Sequence, residues 1–180
     1  MRHFMPPLRP LLAAALLASC LAAAACSDPG APRTGGLVDD SATPLVAGSA
    51  AELAAARQRW EAAGITRYRF TEGRGCFCAD SRSVRLDVAR AAEPPHHEAV
   101  QSVAYDDEGP EGPVRYPEFF LTVGGLFATI QHAIDNHVEI LVRYHPVYGY
   151  PTTVDVEPSQ HPMDGGVLYQ VRRFEILERQ

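Results

Sequence analysis

The cysteines carry the most chemistry this 180-residue chain has to offer. Two of the four form a tight pair, Cys76-Phe77-Cys78. Residues i and i+2 of an extended segment face the same side, so the two sulfurs are neighbours. Gly73 and Gly75 just upstream permit the tight backbone that so small a ring requires. Three chemistries suit such a pair. A structural disulfide is the expectation in an oxidising compartment, where it shapes one turn and adds little chain-entropy stabilisation. A strained, reducible disulfide is the redox alternative. A metal site with histidines as further ligands is the third.

The histidines do not complete that third reading. His96 and His97 are adjacent, and neighbours in an extended segment point to opposite faces. His132, His137, His145 and His161 show no metal-ligand spacing, and all are expected as exposed loop or helix residues. Asp155, Glu157 and Asp164 could gather near the last turn, but they lack the calcium-loop pattern and read as turn and solvent-face acids. The stretch 106–111 is an acidic, solvated loop. No G-x-S-x-G elbow and no phosphate-cradling glycine loop is present. The expectation is therefore no catalytic, cofactor-binding or metal-binding residue.

The other two cysteines speak of address. Arg2 and Arg9 precede an apolar run over 11–17, and small residues then lead to cysteine. This is the layout of a lipoprotein export signal. The run is shorter than the ~20 apolar residues that span a bilayer. Leu17-Ala18-Ser19-Cys20 and Ala23-Ala24-Ala25-Cys26 compete as acylation sites. The chain stays apolar after Cys20 and turns polar directly after Cys26, so Cys26 is expected and Cys20 is the alternative. Acyl chains would then supply the membrane affinity. The expected address is the extracytoplasmic side of the cell envelope. In a Gram-negative host, similarity to lipoproteins that carry serine after the cysteine implies the outer membrane, facing the periplasm.

Composition narrows the partners. The net charge of −6 falls to −8 when Arg2 and Arg9 leave with the signal. An acidic surface argues against nucleic acid. All basic residues are arginine, and we attach no function to that.

The elements that position these groups follow. Residues 1–26 are the signal, 27–48 a flexible tether rich in Ala, Pro, Gly and Asp, and 49–180 one domain. Ser49-Ala50-Ala51-Glu52 is a capping box that opens a helix. Leu53, Ala56 and Trp60 share its buried face, and Gly64 ends it. Tyr68 and Phe70, then Val84, Leu86 and Val88, then Val103 and Tyr105, mark three strands by alternation. Residues 106–118 are a loop. Thr122 caps a second helix with Val123, Leu126, Phe127, Ile130 and Ile134 on one face, although Gly124 and Gly125 weaken its first turn. Asn136 stops it. Val138 to Tyr144, then Val154 and Val156, then residues 167–177 give three more strands, the last with a bulge between Val171 and Phe174. The expected fold is α+β: an antiparallel sheet of about six strands, with two helices packed on one face, in the order α-βββ-α-βββ.

Trp60, Ile65-x-x-Tyr68, Cys76-Phe77-Cys78, Leu126-Phe127, Gly149-Tyr150-Pro151 and Asp164, in that order, resemble small bacterial lipoproteins of the DUF6174 type, a domain of unknown function. The resemblance spans roughly residues 53–176. It implies a fold and an envelope address, and it carries no established activity. Gly124-Gly125 departs from the polar residue such proteins place at the start of the second helix. The functional expectation is a lipid-anchored, non-enzymatic binding or interaction module of unknown ligand, with an envelope protein as a possible partner. A thiol-redox or metal-binding protein using Cys76 and Cys78 is the alternative.

Overall fold

Alternating inward and outward side chains build a single sheet. The computed structural model describes residues 43–76, 82–91, 96–106, 112–163 and 165–180. Its elements are β1 (Val46–Ala47), α1 (Ala50–Ala62), β2 (Ile65–Gly75), β3 (Val84–Arg90), β4 (Glu98–Tyr105), α2 (Val123–Asp135), β5 (Ile140–Tyr144), β6 (Pro151–Val156) and β7 (Val167–Arg179). Short 3-10 helices cover Pro117–Phe119 and Pro158–Met163. The sheet order is β1-β5-β6-β7-β2-β3-β4, and every pairing is antiparallel. The fold is α+β, with seven strands where the sequence suggested about six. The additional strand is β1, in the stretch expected as tether. Val46 and Ala47 pair with Val142 and Leu141. Two residues are too few to show an alternation.

Each half of the chain forms a meander, β2-β3-β4 and β5-β6-β7. The long strands β2 and β7 join them, from Ile65 opposite Arg179 to Gly75 opposite Leu168. The expected bulge lies here. The register shifts between Arg69 and Thr71, opposite Arg172 to Glu175, and Arg173 has φ +50°. The extra residue turns both Val171 and Phe174 into the core, where they are 3 % and 0 % exposed.

Both helices cover the same sheet face. Ser49 caps α1, its hydroxyl accepting from the Glu52 amide at 3.3 Å. The Glu52 carboxylate accepts that hydroxyl's proton at 2.9 Å, where the capping-box pattern led us to expect a bond to the Ser49 amide. Leu53, Ala56 and Trp60 form the buried face, and Gly64 follows the helix at φ +59°. Trp60 meets Tyr68, Tyr150 and Phe174 edge-on at 5.3, 6.3 and 6.1 Å. Tyr150 stacks on Phe174 at 4.0 Å, and Phe174 on Tyr68 at 5.3 Å. This packing matches the offset and T-shaped preferences of rings and forms the centre of the core.

The turn after β5 locks onto α1. Its Gly149 has φ +76°, and a Cβ there would sit 2.1 Å from the Ala56 carbonyl oxygen. Only glycine allows both the conformation and the approach. His145, expected to be exposed, is 3 % exposed. Its ring lies between Tyr148 and Tyr150 at 5.0 and 4.9 Å. Its Nδ1 accepts from the Val147 and Tyr148 amides at 3.2 and 3.0 Å. The sequence shows a histidine beside a proline and a turn, but not that the turn folds inward.

Candidate functional site

The first turn of a helix leaves backbone amides without intrahelical partners. At the start of α2 the sheet supplies those partners. Glu72 of β2 accepts from the Leu121 amide at 2.7 Å. The Tyr68 hydroxyl accepts from Val123 at 3.1 Å. Glu98 of β4 accepts from Gly124 at 2.7 Å, and Thr122 caps Gly125 at 3.1 Å. The positive end of the helix therefore faces the Glu98 carboxylate, a favourable pairing. A Cβ on Gly124 would lie 2.7 Å from Glu98 Oε2, so the glycine that weakens the helix admits the carboxylate.

Burial sets the protonation of two of these groups. It raises the Tyr68 hydroxyl well above its ordinary pKa, and the nearby Glu98 charge adds to the effect. Glu72 is fully buried, and desolvation pushes its carboxyl up to about 8, against the opposing pull of the Leu121 amide and Arg74. Its Oε1 has no hydrogen-bond partner among the described residues.

A cleft of about 520 Å³ opens beside this helix start, between α1 and the beginning of β4. Its size falls in the usual range for small-molecule sites, about 300–1,000 Å³. Its charged groups are held from behind. Arg90 ends the inward row Val84, Leu86, Val88 of β3; its side chain is 4 % exposed and pairs with Glu61. Its guanidinium lies 5.7 Å from the Trp60 ring centre. Arg57 lies 5.7 Å from the Phe127 ring and donates to Gln131 Oε1 at 3.2 Å and the Phe127 carbonyl at 3.1 Å. Each guanidinium is thus fixed over an aromatic face.

Two histidines complete the wall. His96 has φ +50°, which breaks the extended alternation. His96 and His97 therefore line one cleft, where opposite faces were expected. His96 Nδ1 lies 3.0 Å from the Ala91 carbonyl oxygen, and Nε2 lies 3.2 Å from Glu61 Oε2. Both are acceptors, so only the doubly protonated ring donates to both. His97 is exposed at the rim.

The residues singled out by sequence are spread across the molecule. Cys76 follows β2 and is half-buried; Cys78, Cys20, Cys26 and Asp164 lie outside the described residues. Asp155 meets His161 at 3.1 Å, and Glu157 is exposed at φ +51°. Asp106 pairs with Arg173 at 3.0 Å. His132 and His137 are exposed. Among the described residues no three His, Cys, Asp or Glu side chains gather as a metal site. None of their helices is long and apolar enough to cross a membrane.

A family model covers residues 52–176, most of the chain, under the description "family of unknown function", DUF6174. The chain belongs to that family. No curated protein and no solved structure matches it. The matched segment of this DUF6174 protein runs from α1 into β7, so it includes the cleft and the polar start of α2. Sequence reasoning missed Glu72, Arg90 and Glu98 as site residues. For two of them the signal was present: Glu72 continues the inward parity of Tyr68 and Phe70, and Arg90 that of Val84 to Val88.

Proposed function

We propose that this DUF6174 protein is a lipid-anchored protein of the cell envelope whose domain is a non-enzymatic binding module. The cleft between α1, β4 and the start of α2 is its binding site. One observation carries this reading: the cleft's arginines are pinned before any ligand arrives. Pre-set charges lower the ordering cost of binding. The wall mixes Arg57, Arg90 and His96 with Glu61 and Glu98, which suits a polar ligand offering both donors and acceptors. His97 and the open side of Glu61 would meet it first. The anchor rests on the N-terminal signal, with Cys26 as its acylation site and Cys20 as the alternative. We propose further that Cys76 and Cys78 form a local disulfide, supported by their i, i+2 spacing and by Gly73 and Gly75 just upstream.

Two experiments test these readings. Intact mass of the membrane-extracted protein, alkylated without reductant, should show acyl mass on Cys26 and no alkylated cysteine. An unacylated chain would end the anchor reading, and labelled Cys76 and Cys78 would end the disulfide. For the cleft, native-state ligand screening should give hits that Arg57→Ala and His97→Ala abolish, while the exposed His97→Ala variant melts as before. Hits indifferent to both variants would place binding elsewhere.

A further inference from the structure

A second, smaller groove of about 210 Å³ lies between the arm before β1 and the outer face of α1. Its floor is Val142 and Tyr144 of β5, and Pro44 and Val46 form the opposite wall. The arm is pinned there, because the Thr43 hydroxyl donates to the Tyr144 carbonyl oxygen. Glu52, Ala55 and Arg59 supply the helix side at i, i+3 and i+7, one face of α1.

Two hydrogen-bond donors at this groove have no acceptor among the described residues. Tyr144 is 7 % exposed, and its hydroxyl has no partner among them; Arg59 Nε is buried and also has none. No side-chain acceptor among the described residues takes the Arg59 guanidinium. Buried polar groups are rarely left unmatched, and an unmatched donor marks a place for an acceptor. Polarity along the groove is also set. Glu52 is occupied by Ser49 at 2.9 Å and lies seven residues, about 10 Å, along the helix from Arg59. An anionic head is therefore favoured at the Arg59 end; the Tyr144 hydroxyl lies within reach of Glu52 as well as of Arg57 and Arg59, and an apolar body would lie against Pro44, Val46, Ala55 and Val142.

We propose that this groove binds a small monocarboxylate with a short apolar body, its head received by Arg59 and Tyr144. The size agrees: the volume lies below the about 300–1,000 Å³ of ordinary drug-sized sites.

The test titrates octanoate, 1-octanol and octylamine into the intact chain and follows backbone amide shifts. Octanoate should shift Ala55, Arg59 and Val142 selectively, with a Kd of ~1 mM or tighter. The alcohol and the amine should bind about 10-fold more weakly or worse. Arg59→Gln and Tyr144→Phe should each weaken octanoate about 10-fold. Tyr144→Phe should leave the melting temperature unchanged or raised, because the lost hydroxyl has no partner among the described residues. Ala55→Trp, at an exposed helix position, should block the groove. Equal binding of the three probes would show a greasy surface only, and tightest binding of the amine would show that Glu52 governs. Either outcome overturns the proposal, as does octanoate binding that ignores Arg59→Gln or shifts that fall outside the groove.

Discussion

α1 rests on the sheet through rings, whereas α2 begins on it through hydrogen bonds. Under α1, Trp60 meets Tyr68, Tyr150 and Phe174, and all four are at most 2 % exposed. Under the start of α2, Tyr68, Glu72 and Glu98 reach up from the sheet to backbone amides. Tyr68 serves both, with its ring in the aromatic stack and its hydroxyl at the helix end. The first arrangement stabilises by area and tolerates approximate placement. The second is directional, and it fixes where the helix start, and with it the cleft wall, must sit. The fold thus separates bulk stability from the positioning of its polar cleft.

Substitutions in the two seats should separate accordingly. Trp60→Ala should cost about 3–5 kcal/mol in denaturant melts, the range for emptying a large core position. A near-neutral result would show that the ring stack does not hold α1. Glu98→Ala should cost less, about 1–2 kcal/mol, because water replaces the carboxylate at the exposed Gly124 amide while the buried Tyr68 hydroxyl loses an acceptor. Its larger effect should fall on the amides of Val123 and Gly124, whose hydrogen exchange should speed up. Unchanged exchange there would break the distinction between the two seats. Thr122→Ala, which removes the cap on Gly125, should cost about 1 kcal/mol.

Glu72 sharpens the comparison through pH. Its native carboxyl is pushed up to about 8 from an ordinary value of 4.5. Between those values the native state keeps a proton that the unfolded state releases. Stability should therefore fall as pH rises from about 4.5 to about 8, and the slope should flatten in Glu72→Gln. At pH 8 the glutamine variant should be the more stable of the two. Parallel stability curves for variant and parent would show that Glu72 is not the group responsible.

The two seats also differed in how far the sequence disclosed them. The apolar faces of α1 and α2 and most strands follow from periodicity, and Ser49, Thr122 and Gly64 mark helix ends by local chemistry. The bulge near Arg173 showed as a phase slip. The polar seat left no such pattern. Glu98 lies 26 residues before the amide it caps, and Glu72 lies 49 before its own. Contacts at that separation have no spacing rule. Gly124 was visible as a poor helix former, but its reason, the approach of Glu98, is tertiary. β1 and the inward turn at His145 were hidden for the same cause: each is imposed by a partner element.

The central claim is that the cleft beside α2 binds a ligand in a membrane-tethered domain. Native mass spectrometry of the chain extracted from its own membrane tests it most directly. We expect a species carrying acyl mass at Cys26 together with a non-covalent ligand that is lost in Arg57→Ala/His97→Ala. An unacylated chain, or a ligand retained by that double variant, would contradict the account.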